Sequence, residues 1–139
     1  MKRIMFVFML FGISCAYADT VKLSTMFQDK KDNEYAFSQK YENKRLTFDA
    51  TIRSIDAKCY TKMLSWEKTE NIPCAKLDSP DTTIEFLGFD VPIAGAIMEN
   101  NDDLLNLKRG QSVTLECELT TEYMWDLNSF TFKDCKIKE

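Results

Sequence analysis

The chain has 139 residues, of which 18 are basic and 22 acidic, and a formal net charge of −4 at pH 7. Histidine is absent, and with it the most common general base, the usual partner of a serine or cysteine nucleophile and the most common metal ligand. Phosphate backbones are bound mainly by positive charge, so the composition predicts no nucleic acid partner, no cofactor and no catalytic residues.

The first 18 residues have the layout of a secretory signal peptide. Lys2 and Arg3 precede an apolar segment, residues 4–13, which is followed by small residues at Ala16 and Ala18. The apolar segment is only about half as long as a membrane-spanning helix. We therefore expect export to the periplasm, cleavage after Ala18 and no stable membrane insertion.

Cys15 offers a second processing route, because bacterial lipoproteins carry a lipid on a cysteine at such a boundary. Gly12 stands three residues before it, where leucine is usual, and the Ala16–Ala18 site matches its own pattern better. Cleavage after Ala18 leaves one domain, residues 19–139, with 16 basic and 22 acidic residues and a net charge of −6. This charge also disfavours anionic lipid head groups.

Four cysteines remain in the predicted exported domain. An even number of cysteines in such a domain predicts disulfides, with three possible pairings. The spacing contains no Cys-x-x-Cys pair, which disfavours zinc, and we predict no metal site. The four residues are Cys59, Cys74, Cys117 and Cys135.

The first part of the domain is predicted to be helical over residues 23–41. The polar stretch 29–33 interrupts the pattern, so either one helix with a polar centre or a short turn followed by a helix from about Asp32 fits. The apolar residues that could share a face are Leu23, Met26, Phe27, Phe37 and Tyr41.

Residues 45–56 alternate as a strand with Leu46, Phe48, Ala50 and Ile52 inward. Ile55 is out of phase, which predicts a bulge near Arg53 or Ser54. The segments that follow are an extended loop with some strand (57–81), a strand running into a turn (82–90), an ambiguous stretch (92–101) and a short helix ending at Gly110 (102–110).

Two strands, 112–120 and 129–137, are predicted to form the last hairpin. Val113, Leu115, Cys117 and Leu119 point inward on the first of them. On the second, a one-residue bulge at Lys133–Asp134 places Cys135 opposite Cys117, close enough for a disulfide. By exclusion, Cys59 pairs with Cys74.

This order predicts a mostly β fold, a five-stranded OB-fold-like barrel with an N-terminal helix and a short helix before the last hairpin. The chain also resembles the tRNA_anti-like OB-fold family of small exported bacterial proteins. The resemblance lies in residues 33–56 (Asn-Glu, Ala, then Lys-Tyr-x-x-Lys), 104–119 (Leu-Lys-x-Gly-Gln) and 130–137 (Asp-Cys), whereas 57–101 departs from the family pattern. It implies the barrel and carries over no catalytic residues.

Four aromatic residues are candidates for ligand binding. OB barrels bind on the face of strands 2 and 3, between the loop after strand 1 and the loop between strands 4 and 5. The predicted first loop carries Tyr60 and Trp66, and the second carries Tyr123 and Trp125. These rings could stack on sugars, peptide side chains or bases, or they could instead cover the ends of the barrel.

The sequence thus predicts a non-enzymatic, exported binding module whose partner is an unknown small ligand or an envelope protein. The alternative is a periplasmic inhibitor or immunity-type factor, because an acidic surface complements a basic envelope hydrolase. An enzyme is disfavoured because histidine, a free cysteine, a metal-ligand set and a Gly-rich phosphate loop are all missing.

Overall fold

The computed structural model describes residues 18–121 and 130–139. Over these residues the protein is mostly β, with one mixed six-stranded sheet and a separate two-stranded ribbon. The sheet is mixed because β1 with β2, and β6 with β8, run parallel. The strands are β1 (Asp19–Thr20), β2 (Arg45–Met63), β3 (Thr69–Asp78), β4 (Ile84–Phe86), β5 (Phe89–Val91), β6 (Ala94–Met98), β7 (Ser112–Thr120) and β8 (Phe130–Lys138).

The structure has two helices, α1 (Leu23–Asp32) and α2 (Glu34–Tyr41), where the sequence predicted either one helix with a polar centre or a short turn followed by a helix from about Asp32. Asn33 separates them: its backbone N–H donates to the Asp29 carbonyl, and its side chain accepts a 3.0 Å bond from the Ala36 N–H. Asparagine is a favourable N-cap, so the polar stretch divides the helix. Among the described residues, no helix is long and apolar enough to cross a membrane.

Five strands pair in a ring. β2 pairs with β3, β3 with β6, β6 with β8, β8 with β7, and β7 with the first part of β2. β2 pairs with both β7 and β3 because it is 19 residues long and its register with β3 shifts between Ile52 and Ser54. The predicted bulge near Arg53 or Ser54 is therefore confirmed.

The last hairpin has the predicted register. Leu119 lies opposite Phe132 and Leu115 opposite Ile137, with the register shift between these pairs. Asp134 has a φ of 51°, which marks the bulge at the predicted place. Cys117 and Cys135 form a disulfide with their Cα atoms 4.2 Å apart.

The core lies inside the ring and continues under the two helices. The predicted inward residues of β2 and β7 are buried, and Phe48 packs against Phe132 with ring centroids 4.5 Å apart. From α2, Phe37 stacks on Phe130 at 5.3 Å. Helix residues that complete this core are Leu23, Met26, Phe37 and Tyr41 from α1 and α2, and Leu104 from the 3-10 helix Asn101–Asn106.

The middle of the chain differs from the sequence prediction. Residues 82–90, predicted as a strand running into a turn, contain two short strands, β4 and β5, joined by a turn at Leu87 and Gly88 with φ values of 52° and 81°. Two residues with positive φ make a tight hairpin turn, which the glycine favours. Residues 57–81, predicted as an extended loop with some strand, lie mainly in the hairpin of β2 and β3.

Candidate functional site

The far halves of β2 and β3 form a hairpin that extends past the ring, which we call the hairpin arm (residues 57–73). β6 pairs with β3 over Ala75–Leu77, so the arm lies beyond that pairing. Its tip is closed by a 2.9 Å bond from the Leu64 N–H to the Lys68 carbonyl. A disulfide between Cys59 and Cys74, the predicted pair, ties its base.

Trp66 lies at the tip of the arm and is 98% exposed. Leu64 beside it is 57% exposed. The sequence left open whether this tryptophan packs over an end of the barrel, and its exposure rules that packing out. The two side chains form an apolar tip on a polar arm, and the indole is accessible to a partner.

Tyr60 has the opposite environment, since it is only 5% exposed and packs against the outside of the ring. Lys76, Gly95 and Thr131 lie side by side across β3, β6 and β8. Their sequence neighbours on these strands are buried in the core, so these three residues face outward.

The Tyr60 side chain crosses this outer row. Its hydroxyl is 3.1 Å from Thr131 Oγ1, and Lys76 Nζ lies 5.4 Å from the ring centroid. A Cβ at Gly95 would collide with the Tyr60 hydroxyl. Tyr60 therefore anchors the arm, and both its polar group and its ring are engaged within the chain.

Tyr123 and Trp125 fall in residues 122–129, outside the described residues. The end of β7 that leads toward them lies beside α2: Thr121 Oγ1 donates a 3.0 Å bond to Glu42. Of the four aromatic candidates, the structure thus exposes Trp66 and buries Tyr60.

The β4–β5 ribbon carries a second apolar tip that the sequence analysis missed. Phe86, Leu87 and Phe89 are 43%, 81% and 72% exposed. Arg53 holds the ribbon with bonds of 3.0 Å to the Asp78 carboxylate and 2.9 Å to the Asp90 carboxylate. The signal in the sequence was Phe-Leu-Gly-Phe, in which a turn dipeptide stands between two phenylalanines.

A cavity of about 500 Å³ lies where β1, α1 and α2 meet the start of β2. Its lining includes Lys22, Lys40 and Lys44, with one carboxylate, Asp19. We call it the lysine cavity. The cavity was not predicted from the sequence because its lysines come from separate elements.

The described residues contain no group of three or more acidic or cysteine side chains placed to hold a metal ion. The four cysteines beyond residue 18 are joined in two disulfides. Where carboxyl pKa values shift, hydrogen bonds cause the shift: a bond from Arg45 holds the pKa of Glu116 below its usual value. The Arg45–Glu116 ion pair links the start of β2 to β7 in the ring.

No protein-family model matches the chain, and no curated protein sequence matches it. The fold is similar to the crystal structure of a lipoprotein from Klebsiella pneumoniae subsp. pneumoniae that carries a provisional assignment as nucleic acid-binding. The TM-score is 0.59 at 14% sequence identity, over 88% of this chain and 92% of that one. At this identity the likeness shows the fold, and the tRNA_anti-like resemblance stays a hypothesis.

Two disulfides, together with a lipoprotein of similar fold, indicate an exported protein. The periplasmic location and cleavage after Ala18 stay predictions.

The exclusion of nucleic acid as a partner is corrected by this comparison. It was inferred from net charge, yet the fold is shared with a protein that carries a nucleic acid-binding assignment. The physical reason is that net charge is a sum over the whole surface, whereas a phosphate responds to the charges near it. Lys22, Lys40 and Lys44 line one cavity in a chain whose total charge is negative.

Proposed function

We propose that this chain is an exported, non-enzymatic binding module built on an OB-like barrel, and that it engages its ligand through the tip of the hairpin arm. The ring order supports the barrel. Its strands along the chain are β2, β3, β6, β7 and β8, with a short helix between the third and fourth and a parallel pairing of the third with the fifth. An OB fold is a five-stranded, partly open Greek-key barrel.

The observation that carries the proposal is the exposure of Trp66 at the tip of an arm fixed at its base. The Cys59–Cys74 disulfide and the buried Tyr60 hold the arm on the ring. Tryptophan is enriched among the residues that dominate binding energy, and a pre-ordered arm loses little conformational entropy on binding. The loop after the first barrel strand also flanks the usual OB binding face.

The indole suits more than one class of ligand. A net charge of −6 for residues 19–139 favours a basic envelope protein, which would make the chain an inhibitor or immunity-type factor. Sugars and nucleobases also stack on exposed aromatic rings. Binding measurements on the same variants distinguish these classes.

The test compares the exported protein with Trp66→Ala and with a matched control, Tyr35→Ala. Tyr35 is 76% exposed on α2 and lies outside the arm. Each protein is titrated with basic envelope hydrolases, soluble peptidoglycan fragments and single-stranded oligonucleotides. We expect one class to bind, with affinity reduced about tenfold or more by Trp66→Ala and unchanged by Tyr35→Ala.

Both variants should keep the melting temperature, because each removes an exposed side chain. Equal binding by wild type and Trp66→Ala, or equal losses in the two variants, would exclude the tip as the binding site.

A further inference from the structure

The β4–β5 ribbon has two chemically different faces. Side chains alternate along a strand, and residues that lie opposite each other on paired strands share a face. The opposed pairs of the ribbon are Ile84 with Val91, Glu85 with Asp90, and Phe86 with Phe89. One face is therefore apolar along its whole length, and the other carries two carboxylates.

The apolar face runs from the core to the surface. At its inner end Ile84 is buried and Val91 packs against the core cluster, whereas Phe86 and Phe89 at its outer end are exposed. Leu87 in the turn is also exposed and has a φ of 52°. This conformation is unfavourable for leucine, and asparagine, aspartate or glycine usually occupies such a turn position. Neither burial nor turn formation explains the leucine, so a contact with a partner is a reason for it.

The opposite face of the ribbon carries a local excess of negative charge. Arg53 Nη1 lies 2.9 Å from the Asp90 carboxylate and 3.0 Å from the Asp78 carboxylate. One guanidinium is thus shared by two carboxylates, and within the described residues Glu85 forms no ion pair. The sequence contains no basic residue between Lys76 and Lys108. This face therefore attracts a basic group.

The β4 edge of the ribbon is open to a further strand. The pair that flanks a two-residue turn is hydrogen-bonded, and the next pair, Glu85 with Asp90, directs its backbone N–H and C=O groups outward. On the β5 side, Arg53 Nη2 donates a 2.6 Å bond to the outward carbonyl of Asp90. On the β4 side, β5 is the only strand with which β4 pairs in the described part of the chain. An exposed strand edge of this kind can pair with another chain.

We propose that the β4 edge binds an extended segment of a partner protein in which basic and apolar residues alternate. A segment added as a third strand would place its apolar side chains beside Phe86 and its basic side chains beside Glu85, because alternate side chains face opposite sides of a sheet. Main-chain hydrogen bonds would supply affinity, and the alternation would supply specificity. The ribbon and the tip of the hairpin arm are separate elements, so this inference does not depend on the function proposed above.

The test uses two labelled synthetic peptides, which are titrated with the exported protein and followed by fluorescence anisotropy. The alternating peptide is Lys-Phe-Lys-Val-Lys-Phe-Lys. The block peptide, Lys-Lys-Lys-Lys-Phe-Val-Phe, has the same composition and charge but no alternation.

The ribbon variants are Phe89→Ser and Glu85→Lys. Their matched controls are Leu105→Ser, at an 82% exposed position of the 3-10 helix, and Glu139→Lys, at the exposed end of the chain. Melting temperatures verify that all four variants fold. Glu85→Lys should not lower the melting temperature, because it replaces two like charges on opposite strands by a pair of opposite charges.

We expect wild type to bind the alternating peptide more tightly than the block peptide. Each ribbon variant should weaken binding of the alternating peptide by about tenfold or more, and neither control should change it. The loss in Glu85→Lys should become smaller as salt is added, since salt screens exposed charges. The loss in Phe89→Ser should persist.

Five results would overturn the proposal. Three of them concern the peptides: no binding by wild type, equal binding of the two peptides, or equal losses in the ribbon and control variants. The other two concern different occupants. A wild-type dimer that Phe89→Ser dissociates in sedimentation velocity would assign the ribbon to a second copy of this chain. Binding to phosphatidylcholine vesicles that Phe89→Ser abolishes would assign it to a lipid surface.

Discussion

Gly95 lies against Tyr60 where the hairpin arm meets the ring. A glycine within a strand weakens it by roughly 0.5–1 kcal/mol relative to alanine, so Gly95, the second residue of β6, requires an explanation from packing. The Tyr60 hydroxyl supplies one, because it fills the space where a Cβ would lie. Gly95 allows the tyrosine to reach Thr131 across β6.

We therefore expect Gly95→Ala to lower the free energy of unfolding by about 1–3 kcal/mol, the usual cost of overpacking. Tyr60→Phe should cost about 1 kcal/mol for the lost hydrogen bond. It should also relieve the clash, because the next ring atom, Cζ, lies 3.2 Å from the point that a Cβ at Gly95 would occupy. Urea unfolding of both single variants and the double variant measures the coupling, and strict additivity would contradict the contact.

Asp29 links α1 to α2 and should make stability depend on pH. The hydrogen bond from Tyr41, followed by the bond and charge of Lys40, lowers the pKa of Asp29 below its ordinary value of 3.8. A carboxyl whose pKa is depressed on folding stabilises the fold fully above its unfolded pKa, and this contribution is lost as the pH falls through the folded value. The loss should therefore occur below about pH 4.

Asp29→Asn tests this linkage. We expect it to lower the free energy of unfolding more at neutral pH than at about pH 3, because the contribution of the wild-type carboxylate begins to be lost once the pH falls below its unfolded pKa. Urea unfolding at both pH values gives the comparison. Asp32→Asn makes the same charge change on an exposed side chain of the same helix, and an equal pH dependence in that control would refute the role of Asp29.

The two disulfides differ in their surroundings. Cys117 and Cys135 are fully buried in the core between β7 and β8, whereas Cys59 is half-buried at the base of the arm. The bridges join residues 18 and 15 positions apart. Loops of this length predict a stabilisation of about 3 kcal/mol for each bridge.

We expect Cys59→Ala/Cys74→Ala to make the arm sensitive to proteases before the ring unfolds. Cys117→Ala/Cys135→Ala should lower global stability more, because it also removes buried core atoms. Limited proteolysis with mass mapping, combined with urea unfolding, measures both effects. Equal global losses without cleavage in the arm would show that the arm and the ring unfold as one unit.

At the scale of the whole molecule, the position of β1 means that cleavage of the predicted signal peptide would determine what lies next to the edge of the sheet. Asp19 and Thr20 pair in parallel with Leu46 and Thr47 of β2. Cleavage after Ala18 would leave a new N-terminus directly at the sheet, whereas a lipid on Cys15 would hold the sheet a few residues from a membrane.

We predict that the protein begins at Asp19 in an envelope fraction, because the Ala16–Ala18 site matches a signal peptidase pattern. Intact-mass measurement decides the question. A species that begins at an acylated Cys15 would disprove the prediction and would make the chain a lipoprotein.

The sequence by itself determined the features that depend on local alternation. Side chains along a strand point alternately inward and outward, and a break in this alternation marks a bulge. This pattern predicts the inward residues of β2 and β7, the bulge near Ser54 and the register of β7 with β8. Because the Cys117–Cys135 pair follows from that register, the other disulfide followed by exclusion.

Only the tertiary structure decided how distant segments meet. Periodicity does not show which strand a segment will pair with, so the β2–β3 arm and the parallel pairing of β6 with β8 were not predicted. The same applies to the aromatic candidates: Tyr60 is buried because Gly95, far along the chain, lies under it, and Trp66 is exposed because its arm extends past the ring. Total charge was a poor guide for a related reason: the potential at a site depends on nearby charges, and the fold alone sets those distances, as where three lysines from separate elements line one cavity.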